Sequence, residues 1–249
     1  MTSFPLVALA GNPNAGKSAL FNALTGARQK TGNYPGVTVE RHAGRFSLED
    51  GRPVEVVDLP GTYSLQPASP DEAVTRDVIM GKQAGERRPD ALIVVVDAGN
   101  LDNHLRFAIE LIALGLPTVV ALNMIDLAER DGLTLDAQRL SEALGVPVIP
   151  TVAVRRRGLD DLRAALSSAV TQQKPVAADV PADGVVSVVA PAPVAALYES
   201  QCGQQRDCNH DRRASAPRGR HPAPRSRGAG ASPHSPQTRG GRSPVRPAI

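Results

Sequence analysis

A glycine-rich loop near the amino terminus has the residue types and spacing that bind phosphate groups. It fits the pattern G-x-x-x-x-G-K-[ST] and reads Gly11-Asn12-Pro13-Asn14-Ala15-Gly16-Lys17-Ser18, with Ala19 next. In such a P-loop, successive backbone N–H groups and a helix N-terminus surround an anion. We expect Lys17 to reach the β- and γ-phosphates and the Ser18 hydroxyl to bind Mg²⁺. The loop therefore predicts a nucleoside triphosphate site.

A second motif lies where a later apolar run ends, and it reads Asp58-Leu59-Pro60-Gly61. We expect the Asp58 carboxylate to hold water molecules around Mg²⁺ and the Gly61 N–H to contact a γ-phosphate. Taken alone, the motif is also an ordinary turn, because Asp and Pro-Gly are common turn residues. Its position after a P-loop, at the end of a neighbouring strand, favours the phosphate site.

Between these motifs, Thr38 lies in a loop that contains Gly and Pro and reads Asn33-Tyr34-Pro35-Gly36-Val37-Thr38. The pattern is typical of a loop that orders over a γ-phosphate and relaxes after hydrolysis. We therefore expect Thr38 to be a second Mg²⁺ ligand that closes over the γ-phosphate. The alternative is a threonine that enters a strand because of its β propensity.

The third motif follows another apolar strand and has N-x-x-D spacing: Asn123-Met124-Ile125-Asp126. The Asp126 carboxylate can accept hydrogen bonds from N1–H and the 2-amino group of guanine. Adenine lacks this donor pair, and an unmatched buried polar group of this kind can cost a factor of roughly 10⁴ in discrimination. In isolation the tetrapeptide also fits a helix cap. Downstream of the other two motifs, it predicts a GTPase.

These motifs need a scaffold that brings several strand ends together, and the pattern along the chain predicts one. Apolar runs alternate with amphipathic stretches, which is typical of an α/β fold with a mostly parallel sheet and helices on both faces. The predicted strands are Leu6–Ala10, Val37–Leu48, Val54–Asp58, Ala91–Asp97, Thr118–Asn123 and Val146–Pro150. The predicted helices are Lys17–Leu24, Asp71–Met80, Leu101–Leu114, Asp136–Leu144 and Leu159–Val170. Ligands of such sheets bind at the carboxyl ends of the strands, where the motifs lie.

Composition excludes several other classes of protein. The chain has 249 residues, which fits one domain of ordinary size with an extension or two small domains, and 41% of them are apolar, enough to build a core. Aromatic residues make up 3%, with no Trp, which argues against a sugar- or RNA-stacking surface. No apolar run approaches the roughly 20 residues that cross a bilayer, and the N-terminus lacks the basic region of a signal peptide. We therefore expect a cytoplasmic protein without a transmembrane helix.

The net charge of +3 conceals two regions of opposite sign. Residues 201–249 contain ten Arg, two Asp and neither Lys nor Glu, a net charge of +8, which leaves −5 for residues 1–200. The basic isoelectric point therefore gives no reason to expect a nucleic-acid partner for the whole protein. We expect a domain over residues 1–170, a linker or the start of a truncated helical domain over 171–200, and a disordered Arg/Pro/Gly-rich tail over 201–249.

Together, these strings of residues resemble the cytosolic G domain of the ferrous iron transport protein B (FeoB) family. Besides the P-loop and the N-x-x-D motif, the matching strings are Gly36-Val37-Thr38-Val39-Glu40-Arg41, Asp58-Leu59-Pro60-Gly61-Thr62-Tyr63-Ser64-Leu65, Val96-Asp97-Ala98-Gly99-Asn100-Leu101 and Pro147-Val148-Ile149-Pro150. The resemblance extends over residues 4–170. It implies a Ras-like P-loop GTPase that binds GTP or GDP with Mg²⁺, hydrolyses GTP slowly, and is coupled to Fe²⁺ uptake through a membrane transport domain.

The resemblance also implies stimulation by K⁺, because the K⁺ ligand of the family matches Asn14 here. The alternative for Asn14 is a loop-shaping residue that bonds its own backbone. The catalytic residues implied are Lys17, Asn14, Thr38 and Gly61, with Ser18, Thr38, Asp58 and Asn14 at metal ions. The family places such a domain at the cytoplasmic face of the inner membrane, and a homo-oligomer is left open.

The sequence departs from Ras-type enzymes in two motifs. The residue after D-x-x-G is Thr62, where Ras-like enzymes carry a Gln that orients water, so we expect slow intrinsic hydrolysis. The fifth guanine element reads Val152-Ala153-Val154 and lacks the usual hydroxyl. The Ala153 N–H can still contact guanine O6, but we expect weaker nucleotide retention. The stretch Arg155-Arg156-Arg157 fits either a solvated loop or a contact with a partner or the nucleotide edge.

The tail resembles a frame-shifted reading of GC-rich DNA, the alternative being a genuine basic tail that binds RNA or anionic lipid. Three functions therefore stay open: a transporter-coupled GTPase, a soluble GTPase of ribosome or tRNA maturation, and a GTP-binding fragment that drives no transport. Residues 1–170 show no Fe²⁺ site, since their only histidines are His42 and His104 and they contain no Cys.

Overall fold

The computed structural model of the chain describes residues 4–26 and 29–171, in which six helices pack on a sheet of seven strands. The strands are β1 (Leu6–Gly11), β2 (Gln29–Asn33), β3 (Glu40–Ser47), β4 (Pro53–Asp58), β5 (Ala91–Asp97), β6 (Thr118–Asn123) and β7 (Val148–Pro150). The helices are α1 (Lys17–Thr25), α2 (Pro70–Ile79), α3 (Leu101–Ile112), α4 (Ile125–Arg130), α5 (Ala137–Leu144) and α6 (Leu159–Thr171). The predictions made for the linker and the tail lie outside the described residues.

The strands are ordered β2-β3-β4-β1-β5-β6-β7 across the sheet. Five neighbours, from β4 to β7, run parallel, whereas β2 and β3 are joined to the edge of β4 in antiparallel pairs. Every residue of β1 and β6 is buried, as expected for parallel strands that are covered on both faces. The predicted α/β fold with a mostly parallel sheet is therefore confirmed.

Alternate residues of the central strands face two separate cores. In β1, Leu6 and Ala8 pack into the core beneath α2, α3 and α5, while Val7 and Leu9 pack into the core beneath α1 and α6. This alternation follows from the two-residue period of a strand. Burial on both sides fixes the register of β1, and with it the point at which the chain leaves the sheet and enters the P-loop.

Two elements differ from the sequence-based prediction. The strand predicted over Val37–Leu48 begins only at Glu40, because residues 34–39 form a loop that the Tyr34 N–H closes by donating to Val39 O at 3.0 Å. The edge strand β2 was not predicted, since its sequence, QKTGN, has no apolar alternation and owes its conformation to pairing with β3. The short helix α4, directly after the N-x-x-D motif, was also missed.

The remaining predicted elements are present, with shifts of a few residues at their ends. Helix α5 ends where the sequence predicted, at Gly145, whose φ of 69° is the left-handed conformation that favours glycine. Among the residues that the structure describes, no helix has the length and apolar character that a membrane crossing requires.

Candidate functional site

The three sequence motifs meet at one edge of the sheet. The P-loop joins β1 to α1, Asp58 is the last residue of β4, and Asn123 is the last residue of β6. Since β4, β1, β5 and β6 are parallel neighbours, their carboxyl ends lie side by side. The motifs therefore occupy the crevice where ligands of open α/β sheets bind.

The backbone of the P-loop has two positions that only glycine suits. Gly16 has a φ of 83°, and a Cβ there would collide with the Asn123 side-chain nitrogen. A Cβ on Gly11 would lie 2.6 Å from Val95 O. The loop also contains an exposed, left-handed Asn14, with a φ of 65°. These positions give the loop its turn into α1, whose first N–H groups border the anion site.

At the phosphate end, Lys17 and Asp58 form an ion pair with 3.1 Å between Nζ and Oδ1. Their side chains are only 12% and 9% exposed. Burial raises the pKa of Asp58, and the Lys17 charge opposes this effect. Both residues border an open cavity of about 510 Å³, together with Thr38 on the loop before β3. The arrangement brings an ammonium, a carboxylate and a hydroxyl around one open space.

These groups also fit a magnesium ion. The buried Asp58 carboxylate and the hydroxyls of Ser18 and Thr38 are hard oxygen donors of the kind that Mg²⁺ prefers. Within residues 4–26 and 29–171, no group of three or more His, Cys, Asp or Glu side chains is placed to hold a metal by itself. A site built from one carboxylate and hydroxyls suits an ion that completes its shell with phosphate oxygens and water.

The segment after Asp58 packs directly against the P-loop. A Cβ on Gly61 would come within 3.0 Å of Pro13 N, and the Thr62 N–H donates to Gly11 O at 3.3 Å. From the other side, the Thr75 hydroxyl of α2 donates to Pro60 O at 2.8 Å. Gly61 is therefore held directly against the P-loop.

The Thr62 side chain is not presented to an attacking water. It is 1% exposed, and its hydroxyl donates to Ser64 O at 2.9 Å. The neighbouring Tyr63 is 54% exposed. Glu110 of α3 fixes the segment further on, since its Oε2 accepts from the Ser64 hydroxyl at 3.2 Å and the Leu65 N–H at 2.9 Å. No side chain directly after D-x-x-G thus replaces the glutamine of Ras-like enzymes.

At the opposite end of the site, the buried side-chain amide of Asn123 connects three segments. Its Nδ2 donates to Ala15 O of the P-loop at 3.0 Å. Its Oδ1 accepts from the Ala153 N–H at 3.1 Å and from the Thr151 hydroxyl at 3.3 Å. Asn123 therefore holds the phosphate-binding loop and the loop after β7 in one position relative to each other.

Asp126 lies next to this junction, in the first turn of α4. Met124, in a left-handed conformation with a φ of 59°, turns the chain from β6 into that helix. The Asp126 side chain is 18% exposed, and its Oδ2 is 3.6 Å from Nη1 of Arg155. The carboxylate is thus at the surface of the crevice, on the side where Ala153 also lies.

Several residues of the site were not identified from the sequence. Thr151 directly follows β7, so its place at a strand end was a usable signal. Glu110 and Asn103 lie on α3, far from any motif. The Asn103 backbone oxygen accepts from Asn12 Nδ2 of the P-loop at 3.0 Å. Only the packing of α3 brings these two positions to the site.

Comparison with known proteins agrees with this geometry. The family description "Ferrous iron transport protein B" matches residues 6–166. The chain belongs to that family. It is 48% identical over 164 residues to the Fe(2+) transporter FeoB of Escherichia coli K12, an alignment that covers 64% of this chain. The chain spans about a fifth of that curated relative, since the alignment covers 20% of its length.

Solved structures of FeoB domains have the same fold. The cytosolic domain of L. pneumophila FeoB is 43% identical, with a TM-score of 0.61, and the match covers 66% of this chain and 68% of that one. The T. maritima cytosolic domain in its GMPPNP form is 37% identical, with a TM-score of 0.63 and coverage of 69% and 65%. A GDP-bound variant of the S. thermophilus FeoB G-domain is 40% identical, with a TM-score of 0.62 and coverage of 70% and 65%.

The described residues therefore form a FeoB-type G domain with the Ras-like fold that the resemblance implied. Of the structural neighbours, the S. thermophilus variant is bound to GDP and the T. maritima domain is in its GMPPNP form. The individual roles predicted for Gly11 to Ala19, Thr38, Asp58 to Gly61, Asn123, Met124, Asp126 and Ala153 stay predictions.

The connecting role of Asn123 can be measured as stability. Asn123→Ala should lower the free energy of unfolding by roughly 2–4 kcal/mol, because the Ala15 carbonyl and the Ala153 N–H would each lose a buried partner. Urea unfolding of the nucleotide-free chain measures this change. Asn103→Ala is the matched control, since that side chain is exposed and donates only to Asn100 Oδ1. Asn103→Ala should lower the free energy of unfolding by less than about 0.5 kcal/mol. Equal losses of stability in both variants would contradict the connecting role of Asn123.

Proposed function

We propose that this G domain binds GTP and GDP with Mg²⁺, hydrolyses GTP, and regulates Fe²⁺ transport by a membrane domain. The observation that carries the proposal is the convergence of three strand ends. It places the Lys17–Asp58 pair at one end of the crevice and the carboxylate of Asp126 at the other. A guanine nucleotide site requires charged groups for the phosphates at one end and an acidic group that reads the base at the other, on one P-loop scaffold.

In the proposed reaction, water attacks the γ-phosphorus of GTP in line with the bond to the β–γ bridging oxygen. That bond breaks, and GDP and inorganic phosphate leave. The residues of this chain position the substrate. The P-loop N–H groups and Lys17 contact the β- and γ-phosphates, and the Gly61 N–H contacts the γ-phosphate. Ser18, Thr38 and Asp58 would hold Mg²⁺, which neutralises phosphate charge when bound.

We further propose that turnover is slow and is stimulated by K⁺. The buried Thr62 hydroxyl is bonded to the backbone of Ser64 and orients no water. Catalysis then depends on stabilising the charge that develops between the β- and γ-phosphates. Asn14 is exposed at the outer turn of the P-loop, where its carbonyl oxygen can bind a cation that supplies this charge.

At the base end, we propose that Asp126 accepts hydrogen bonds from N1–H and the 2-amino group of guanine. Ala153 would contact guanine O6 through its N–H, which also donates to Asn123 Oδ1. Because a backbone N–H alone offers one donor and no hydroxyl, we expect this loop to hold the nucleotide weakly. The selectivity for guanine then depends chiefly on the Asp126 carboxylate.

The proposed coupling to iron transport is supported by family membership and by the name of the curated relatives, Fe(2+) transporter FeoB. Both favour a transporter-coupled GTPase over a GTPase of ribosome or tRNA maturation. In this proposal the G domain lies at the cytoplasmic face of the membrane and its partner is the transport domain. The described residues would then act on Fe²⁺ movement through conformation, as none of them forms a cluster of metal ligands.

Lys17 tests the phosphate end. Lys17→Ala should weaken GTP binding by about 100-fold or more, because a charged hydrogen bond to the phosphates is lost. Titration calorimetry with GTP and Mg²⁺ measures the affinity. Lys30→Ala is the matched control, since Lys30 is exposed on the edge strand β2, and it should bind GTP like the parent chain. Unchanged affinity in Lys17→Ala would rule out the proposed phosphate site.

The same variant tests the coupling to transport. Residues 1–171 would replace the G domain of the E. coli relative, and Fe²⁺ uptake would be measured in an iron-uptake mutant. The chimera with the parent sequence should restore uptake and the chimera with Lys17→Ala should not. Equal uptake by both chimeras would contradict regulation by this domain.

Asp126 tests the base end. Asp126→Asn should reverse the preference from guanine to xanthine nucleotides, because an amide can donate to the 2-oxo group of xanthine and cannot accept two bonds from guanine. Competition between GDP and XDP for each protein measures the preference. Asp131→Asn, just beyond α4, is the control and should keep the guanine preference. A variant at position 126 that still prefers GDP would exclude Asp126 as the base-reading residue.

Asn14 tests the proposed cation. GTP hydrolysis should be roughly tenfold or more faster in KCl than in NaCl at equal ionic strength. Asn14→Ala should abolish this difference, whereas Asn100→Ala, also exposed, should keep it. Phosphate release over time measures both rates. Equal rates of the parent chain in the two salts would refute K⁺ stimulation. If Asn14→Ala were still faster in KCl than in NaCl, residues other than Asn14 would have to bind the cation.

A further inference from the structure

The carboxylate that is proposed to read guanine has an arginine partner within the chain. Nη1 of Arg155 lies 3.6 Å from Oδ2 of Asp126. The Asp126 side chain is 18% exposed, whereas that of Arg155 is 73% exposed. Arg155 is the last residue of the 3-10 helix Ala153–Arg155, whose first N–H group donates to Asn123 Oδ1. The acidic group is thus fixed in the crevice, and the arginine reaches it from the surface.

Arginine and guanine offer the same chemistry to a carboxylate. The guanidinium group presents two N–H donors from nitrogens on one carbon. The N1–H and 2-amino edge of guanine presents the same N–C–N donor pair. A bidentate pair with guanine engages both oxygens of Asp126 along one edge of the carboxylate, so an arginine paired along that edge must leave before the base can bind.

We propose that Arg155 is an internal competitor of guanine that occupies Asp126 when the base leaves and so promotes release of the nucleotide. The inference rests on the proposed guanine site. In the bound state the base holds Asp126 and the arginine turns to solvent. As the base withdraws, the guanidinium replaces it, and the carboxylate is never left unpaired in its partly buried position.

The neighbouring arginines are engaged elsewhere, which assigns this role to Arg155 alone among the three. Arg156 has a φ of 57°, and its Nη2 donates to Ala23 O at 2.9 Å, so it ties the loop to α1. Arg157 pairs with Glu129, at 3.8 Å between Nη1 and Oε2, on the outer side of α4. Arg157 is therefore a natural control, with the same charge, a similar exposure and no contact with Asp126.

The proposed competition predicts how much the affinity for GDP changes and that the affinity for ADP does not rise. An ion pair this exposed changes an equilibrium by about two- to fivefold. Guanine must displace Arg155 to bind, whereas adenine lacks the N1–H and 2-amino donor pair and leaves the ion pair in place. Removal of Arg155 should thus strengthen GDP binding without strengthening ADP binding. A general loosening of the loop would instead change the affinities for GDP and ADP in the same direction.

The test compares Arg155→Gln with Arg157→Gln in the full chain with Mg²⁺. Fluorescent GDP and ADP analogues give affinities and release rates by stopped flow at low salt. Arg155→Gln should bind GDP about two- to fivefold more tightly and release it more slowly by a similar factor, with no gain for ADP. Arg157→Gln should match the parent chain. High salt should reduce the Arg155 effect, because exposed charges are screened.

A double-mutant cycle separates this competition from other effects. In the Asp126→Asn background, with XDP as ligand, Arg155→Gln should change affinity by less than the cycle's error, because the neutral amide holds no guanidinium charge. An equal gain in both backgrounds would overturn the proposal, and so would GDP binding that is unchanged or weakened by Arg155→Gln alone. A parent chain that binds no GDP at all would instead refute the proposed function.

Discussion

The buried side-chain amide of Asn123 is the interaction on which both ends of the site depend. It donates to the Ala15 carbonyl in the P-loop and accepts from the Ala153 N–H beside the base-reading end. The P-loop and the loop after β7 are therefore one hydrogen-bonded unit. Because the amide is buried, the loss of any one partner leaves a polar group that neither water nor another protein group can bond. The same amide explains Gly16, where any side chain would occupy the space of Nδ2.

Two carboxylates at opposite ends of the crevice are each paired with a cation of the chain itself. Asp58 pairs with Lys17 at 3.1 Å, deep in the site, and Asp126 pairs with Arg155 at 3.6 Å, near its surface. On the proposed function, both pairs must open when the nucleotide and its metal ion bind. The deep pair has little access to water, so its charges interact strongly. The surface pair is weak, so Arg155 can be displaced from Asp126 by a base and can pair with it again after the base is released.

The sequence predicts the parts of this site that local chemistry determines. The P-loop, Asp58 and the N-x-x-D motif each follow a buried apolar strand, and their positions at strand ends are confirmed. Edge strand β2 and helix α4 escaped prediction because neither has an apolar pattern long enough to be recognised. Glu110 escaped because its contacts with Ser64 and Leu65 depend on how α3 packs on the sheet. Local sequence pattern thus predicts the motif residues, whereas the residues that hold the motifs in place depend on long-range packing and are not predicted.

The loop after Asp58 is held at several points, and this restraint separates two kinds of control. Its Thr62 N–H bonds the P-loop, Pro60 is tied to α2, and Glu110 fixes its far end. Because the Thr62 hydroxyl is buried and bonded to Ser64 O, the proposed chemistry depends on charge placed near the phosphates. At the base end, Asn123 and Arg156 hold the backbone of the loop after β7, but the side chain of Arg155 is exposed and reaches Asp126 from solvent. On the proposed function, the phosphate end therefore sets how long GTP persists, whereas the base end sets how long GDP stays bound.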